Sequence, residues 1–132
     1  MANNWYDLGR KYVLDGNLVP ATDTIKAALV SSAYTPNLAS QQYYSDISAD
    51  VLNTPQALTT KTTTAGTLKA DNVTFSAVTS GATGSYVALY KDTGTPTTSP
   101  LLCLFDTITG FPVATNGGDI IISWNASGIL KI

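Results

Sequence analysis

A chain of 132 residues fits one domain, spanning 1–132, with enough material to bury a core without disulfide or metal staples. Its formal net charge of −2, from 7 basic and 9 acidic residues, gives no basic footprint for nucleic acid and no polybasic patch for a membrane. With no histidine, no glutamate and a single cysteine, it has no material for a Ser-His-Asp triad, a Cys-His pair, the common zinc sites or an intramolecular disulfide.

The composition favours strands and turns. Every acidic residue is Asp, which suits turns and caps, and the twenty threonines suit pleated surfaces. Residues 4–15 are the exception and predict a helix. Asn3 or Asn4 serves as cap, Asp7 lies in the first turn, and Trp5, Leu8 and Tyr12 share one stripe. Gly9 weakens that helix by about 1 kcal/mol relative to Ala, and Asp15-Gly16-Asn17 stops it.

The β-domain is expected over 24–132. Thr24–Ser31 reads as a strand covered on most of both faces, because Lys26 is its only charge. Tyr34-Thr35-Pro36-Asn37 reads as a turn. Between Leu38 and Gln56 the pattern is weak: Gln41–Ile47 is one helical turn or an extended loop, and Ser48–Leu52 begins another short helix with Ser48 as cap. Leu58–Thr64 reads as a Thr-rich edge strand, Ala65-Gly66 as a turn or bulge, and Val73, Phe75 and Ala77 alternate as in a half-buried strand. Ser85–Lys91 and Leu101–Asp106 read as a hairpin, Tyr86, Ala88 and Tyr90 on one face and Val87 and Leu89 on the other, with residues 92–100 as its exposed tip. The chain then ends in a second hairpin, 116–132, in which Ile120–Trp124 and Ile129–Ile132 flank a turn at Asn125–Gly128. Ile120, Ile122 and Trp124 are expected to hold the core. The count is seven or eight strands, which predicts a mainly β fold: an antiparallel β-sandwich or small barrel with the N-terminal helix packed on it.

Chemistry-bearing patterns are few. No phosphate-binding glycine loop is present, and the aspartates stand beside Gly, Asn, Thr or Ser, as turn and cap residues do. The reading is therefore non-enzymatic, with no catalytic residue, no metal and no cofactor. Cys103 sits in the apolar run Leu101–Phe105 and reads as a small buried hydrophobe. No signal peptide and no membrane-spanning run is apparent, which predicts assembly in a cytosol-like compartment. Seven tyrosines against three phenylalanines tilt the chain towards amphipathic contacts. The partner-contact candidates are Trp5 and Tyr6 of the helix, Tyr43 and Tyr44, and Thr95, Pro96 and Thr97 of the tip.

A series of stretches carries a resemblance. It runs from Asp23-Thr24-Ile25-Lys26-Ala27-Ala28-Leu29-Val30 and Tyr34-Thr35-Pro36-Asn37 through Tyr44-Ser45-Asp46-Ile47. It continues with Tyr86-Val87-Ala88-Leu89-Tyr90-Lys91-Asp92-Thr93-Gly94 and Ser99-Pro100-Leu101-Leu102. It ends with Asn116-Gly117-Gly118-Asp119 leading into Ile122-Ser123-Trp124-Asn125-Ala126-Ser127-Gly128-Ile129. Over nearly the full chain the series resembles a family of small virion proteins of tailed bacteriophages. The resemblance implies a particle component: a head decoration or cement protein on the capsid surface, acting in many copies as a homo-oligomer on the major capsid protein. A tail, neck or baseplate component is the alternative within the virion. A carbohydrate- or host-binding module using Tyr34, Tyr43 and Tyr44 is the alternative outside structural roles.

Overall fold

The run with apolar residues on both faces is the centre of the fold. In the computed structural model, which describes residues 4–108, 110–124 and 128–131, Ile25–Ser31 forms strand β2 and pairs antiparallel along Thr83–Lys91, strand β7. On the far side of β7 lies Leu101–Phe105, strand β8, and beyond it the short Asn4–Trp5 pair, β1. On the far side of β2 lies Gln56–Ala57, β3, and Val113–Ala114, β9, pairs with the start of β7. The six-stranded sheet therefore runs β1-β8-β7-β2-β3, with β9 beside β7.

Both faces of this sheet are buried, as the near-absence of charge in β2 predicts. One face presents Ile25, Ala27, Leu29, Val87, Leu89, Cys103 and Phe105. A second layer supplies the other half of that core, so the arrangement is sandwich-like. It consists of a three-stranded sheet and a two-stranded sheet. The first joins Thr62–Thr64 (β4), Thr67–Lys69 (β5) and Leu130–Lys131 (β11); the second joins Val73–Phe75 (β6) and Ile120–Ile122 (β10). Leu68, Val73, Phe75 and Ile122 of these strands, with Val78 and Ile129 just outside them, are buried in the same core as the large sheet.

The opposite face presents Ala28, Val30, Ala88, Tyr90, Leu101 and Leu104, covered by Tyr6, Tyr34 and Ile47. Its cover is irregular chain: residues 34–52, with short 3-10 turns at Tyr44–Asp46 and Ser48–Asp50. Of the two readings of Gln41–Ile47 the helical turn is met by Tyr44–Asp46, and the short helix read from Ser48 is a 3-10 turn whose cap is Ile47 and not Ser48. Leu101 and Leu104 share this face despite their odd spacing because the β7–β8 register slips between Leu89 and Tyr90, where Cys103 and Leu101 are the partners. Leu102 is the extra residue of that bulge.

Several expectations need correction. The helix, α1, is Asp7–Leu14, not 4–15. Asn4 and Trp5 are extended and pair with Leu104 and Cys103, and the capping position is Tyr6, which makes no side-chain cap bond. Backbone pairing on an open sheet edge wins over helix propensity there, and Asn3 lies outside the described residues. The terminal segment is not a hairpin: β10 pairs with β6 and β11 with β5. The turn assigned to 125–128 lies outside the described residues except for Gly128. The strand read through Ala77 ends at Phe75, and Ala77 takes a left-handed backbone, φ 50°, so that Val78 and not Ala77 enters the core. Eleven strands among the described residues, most of two or three residues, replace the seven or eight expected.

Glycine 9 explains how the helix reaches the sheet. It is buried, and a Cβ there would stand 2.4 Å from the Leu101 carbonyl oxygen and 2.8 Å from that of Leu102. The residue that weakens the isolated helix is the one that lets its backbone lie on the β8 bulge.

Candidate functional surface

Two of the sequence-predicted contact segments meet. Tyr44 donates its backbone N–H to the Ser99 carbonyl at 2.8 Å, Leu101 donates to the Gln42 carbonyl at 2.8 Å, and Tyr43 bridges to Pro100. The Tyr43-Tyr44 segment and the 92–100 tip thus form one continuous surface, although residues 45–91 lie between them in sequence.

Each half is held rigid from within. In the tip, Ser99 is 1% exposed; its hydroxyl accepts the Thr93 N–H at 3.0 Å and donates to the Thr95 carbonyl at 2.9 Å. Thr93 and Thr98 share a hydroxyl–hydroxyl bond of 2.7 Å, and the Asp92 carboxylate accepts the Gly94 N–H at 2.9 Å. Lys26, 2.9 Å from the Asp92 carboxylate, together with that Gly94 bond, holds the acid below its ordinary pKa. In the other half, the Asp46 carboxylate accepts the N–H groups of Gln42 and Tyr43 at 2.8 and 3.0 Å, closing the 3-10 turn. Thr95, Pro96 and Thr97 are exposed and uncharged.

The aromatic residues divide between core and surface. Tyr6 is fully buried, its hydroxyl 2.9 Å from that of Tyr34, so its ring belongs to the core and not to a partner contact. Tyr34 is also buried and donates to the Gln41 side-chain oxygen, which also accepts the Asn37 N–H at 2.9 Å. This chain of bonds fastens the irregular segment onto the sheet. Burial raises the pKa of Tyr6, Tyr34, Tyr44 and Tyr90. The half-buried Tyr44 ring stacks on Tyr90, centroids 4.4 Å apart. Of the three tyrosines named for sugar contact, Tyr34 is buried, one face of the Tyr44 ring is taken by Tyr90, and Tyr43 is half-buried with its hydroxyl accepting from the Gln42 side-chain amide at 3.1 Å.

Trp5 stands elsewhere. It is half-buried against the core on the other sheet face and lines an apolar cleft of about 180 Å³ with Leu18, Pro20, Thr63, Gly66, Thr67 and Leu68. At the terminal segment, Ile122 is buried, while Ile120 and Trp124 are half-buried against the same core. Trp124 packs edge-on to Phe105 at 5.8 Å and donates its indole N–H to the Asp71 carbonyl at 3.0 Å.

Sequence reasoning missed Ser99, Asp46, Gln41 and Tyr90 as the residues that build this surface. Asp46, three residues after Tyr43, carries a capping spacing that was there to be read. Among the described residues, no three acidic or cysteine side chains gather as metal ligands do, and no helix is long and apolar enough to cross a membrane. Cys103 is buried among apolar neighbours, which pushes its thiol pKa far up and away from the reactive thiolate. No protein-family model matches the chain, and no curated protein matches it.

Proposed function

We propose that this chain is a non-enzymatic structural protein of a tailed-bacteriophage virion that binds the outside of the head. It meets the major capsid protein through the joined Tyr43-Tyr44 and 92–100 surface. The sequence resemblance supplies the virion setting. The observation that supports this surface is its internal bonding: an exposed tip in which the Thr93, Thr98 and Ser99 hydroxyls and the Asp92 carboxylate bond to neighbours within the tip. A surface ordered before contact loses little conformational entropy on docking, and many weakly bound copies together hold a shell. The uncharged Thr95-Pro96-Thr97 crest gives binding little dependence on salt.

The test is to purify particles of the encoding phage, count copies by quantitative mass spectrometry and locate them by electron cryo-microscopy. A copy number matching the capsid lattice, with density over the head, is the expected result. A few copies in multiples of three or six on the tail would replace head decoration with the tail, neck or baseplate role. Absence from particles would end the virion reading. Thr95→Arg with Thr97→Arg should abolish binding to particles stripped of the protein, without change in the melting of the free chain.

A further inference from the structure

The Asn116-Gly117-Gly118-Asp119 stretch has no part in the surface above, yet it is closely bonded. Gly117, at φ 84°, donates its N–H to the Val78 carbonyl at 2.8 Å, and Val78 donates back to the Gly118 carbonyl at 3.0 Å. The Asp119 carboxylate accepts the Ala77 N–H at 2.9 Å. The Asn116 side-chain oxygen accepts the Gly118 N–H at 2.9 Å. One residue earlier, Thr115 and Ala82 exchange bonds: the Thr115 N–H donates to the Ala82 carbonyl at 2.9 Å, and the Ala82 N–H donates to the Thr115 hydroxyl at 3.0 Å. The stretch is a clip joining the exit of β6 to the start of β10.

Asn116-Gly117 is the sole Asn-Gly pair in the sequence, and such a pair is chemically self-reactive because glycine leaves its own nitrogen unshielded. We propose that Asn116 is a latent deamidation site that the clip holds shut and that modifies the chain irreversibly when the clip opens. In the reaction the Gly117 backbone nitrogen loses its proton and attacks the Asn116 side-chain carbonyl carbon. The new C–N bond closes a five-membered succinimide, the bond to the side-chain nitrogen breaks, and ammonia leaves carrying a proton. Water then adds to either ring carbonyl and gives aspartate or isoaspartate. Nothing is oxidised or reduced, and water is the only co-reactant.

The folded geometry opposes the first step twice. The attacking nitrogen keeps its proton in the bond to Val78, and the Asn116 amide is turned to the Gly118 N–H. Release needs only local opening, because β6 and β10 form a sheet of two three-residue strands with Ile121 59% exposed. The isoaspartate product opposes reclosure, because it lengthens the backbone by one methylene and moves Gly117 and Gly118 out of register with Val78, whereas an aspartate keeps the oxygen that accepts the Gly118 N–H.

The experiment incubates the full chain in warm, mildly alkaline buffer and follows deamidation by peptide mapping and mass spectrometry. Native protein, urea-unfolded protein and the Asp119→Ala variant are compared. The native chain should react at Asn116 at least about tenfold more slowly than the unfolded chain, and Asp119→Ala should lie between them with its fold retained by circular dichroism. If that variant unfolds, hydrogen exchange at Gly117 in the native chain substitutes, its protection tracking the deamidation rate across added urea. Equal rates in native and unfolded protein would overturn the proposal, as would modification falling mainly on other asparagines.

Discussion

At the scale of single residues, the backbone decides more than the side chains do. Gly9 is the clearest case. A methyl group added there meets two carbonyl oxygens of the β8 bulge at distances no real Cβ shows, and backbone cannot yield as a side chain would. Gly9→Ala raises intrinsic helix propensity by about 1 kcal/mol, but overpacking costs about 1–3 kcal/mol or more. The net change should be destabilising, read as a lower urea midpoint with unchanged slope; a rise in midpoint would show that the helix can lift off the sheet at little cost. Ala65 gives the opposite expectation. It and Gly66 close the β4–β5 hairpin with φ values of 53° and 77°, the backbone of a two-residue type I′ turn. An alanine in left-handed conformation costs roughly 1–2 kcal/mol, and asparagine tolerates it better. Ala65→Asn should therefore raise the thermal midpoint, by about 1 kcal/mol of stability; no change in calorimetry would mean that the turn is not of this kind in solution.

At the scale of elements, the irregular 34–52 segment depends on a few polar ties and on apolar contacts, with Ile47 fully buried and Leu38, Tyr44 and Val51 packed beside it. Tyr34→Phe keeps the ring but removes the hydroxyl that links Tyr6 to Gln41. It leaves the Tyr6 hydroxyl buried without its partner, a loss of about 1–3 kcal/mol. Hydrogen exchange should quicken over 38–50 before it does in β2 or β7; uniform quickening across the sheet would mean that the segment and the sheet open together. This division also marks what the sequence makes legible. The two-residue alternation of β7 places Tyr86, Ala88 and Tyr90 opposite Val87 and Leu89 without ambiguity, and β2, with Lys26 its only charge, reads as doubly covered. Two-residue strands such as β1 and β9 carry no period to read. The partner of the last strand is chosen by the layer it joins, so adjacency in sequence misled where β5 and β6 stood closer in space. For the surface, Tyr43-Tyr44 and Thr95-Pro96-Thr97 are legible as exposed-contact chemistry, each by itself. Their junction is not, because it rests on backbone bonds such as Tyr44 to Ser99, which any residue type can make.

At the scale of the whole molecule, the buried tyrosines set how the fold responds to alkali. Burial, and for Tyr6 also the bond to Tyr34, raises the pKa of Tyr6; burial likewise raises Tyr34 and Tyr90 above the ordinary value of about 10. Below that value both folded and unfolded chains keep the phenolic protons, so these groups make stability independent of pH. Above it the unfolded chain releases protons that the folded chain retains, and stability falls as pH rises. Each such tyrosine contributes a slope of about 1.4 kcal/mol per pH unit. The effects of the buried tyrosines act in the same direction against a total of about 5–15 kcal/mol for a domain, so stability should fall progressively as pH rises above 10. Lys91 acts in the same direction. The Tyr12 hydroxyl beside it, and secondarily Asp23, raise its pKa, and the tie it makes to the loop before β2 is lost as pH climbs through that value. Tyrosinate absorbance followed together with near-ultraviolet circular dichroism decides the matter. The buried hydroxyls should ionise only in step with loss of tertiary structure, in one cooperative transition. Full ionisation of all seven tyrosines while the dichroism stays native would mean that Tyr6, Tyr34 and Tyr90 meet solvent in the folded chain, and that the irregular segment is no cover for that face of the sheet.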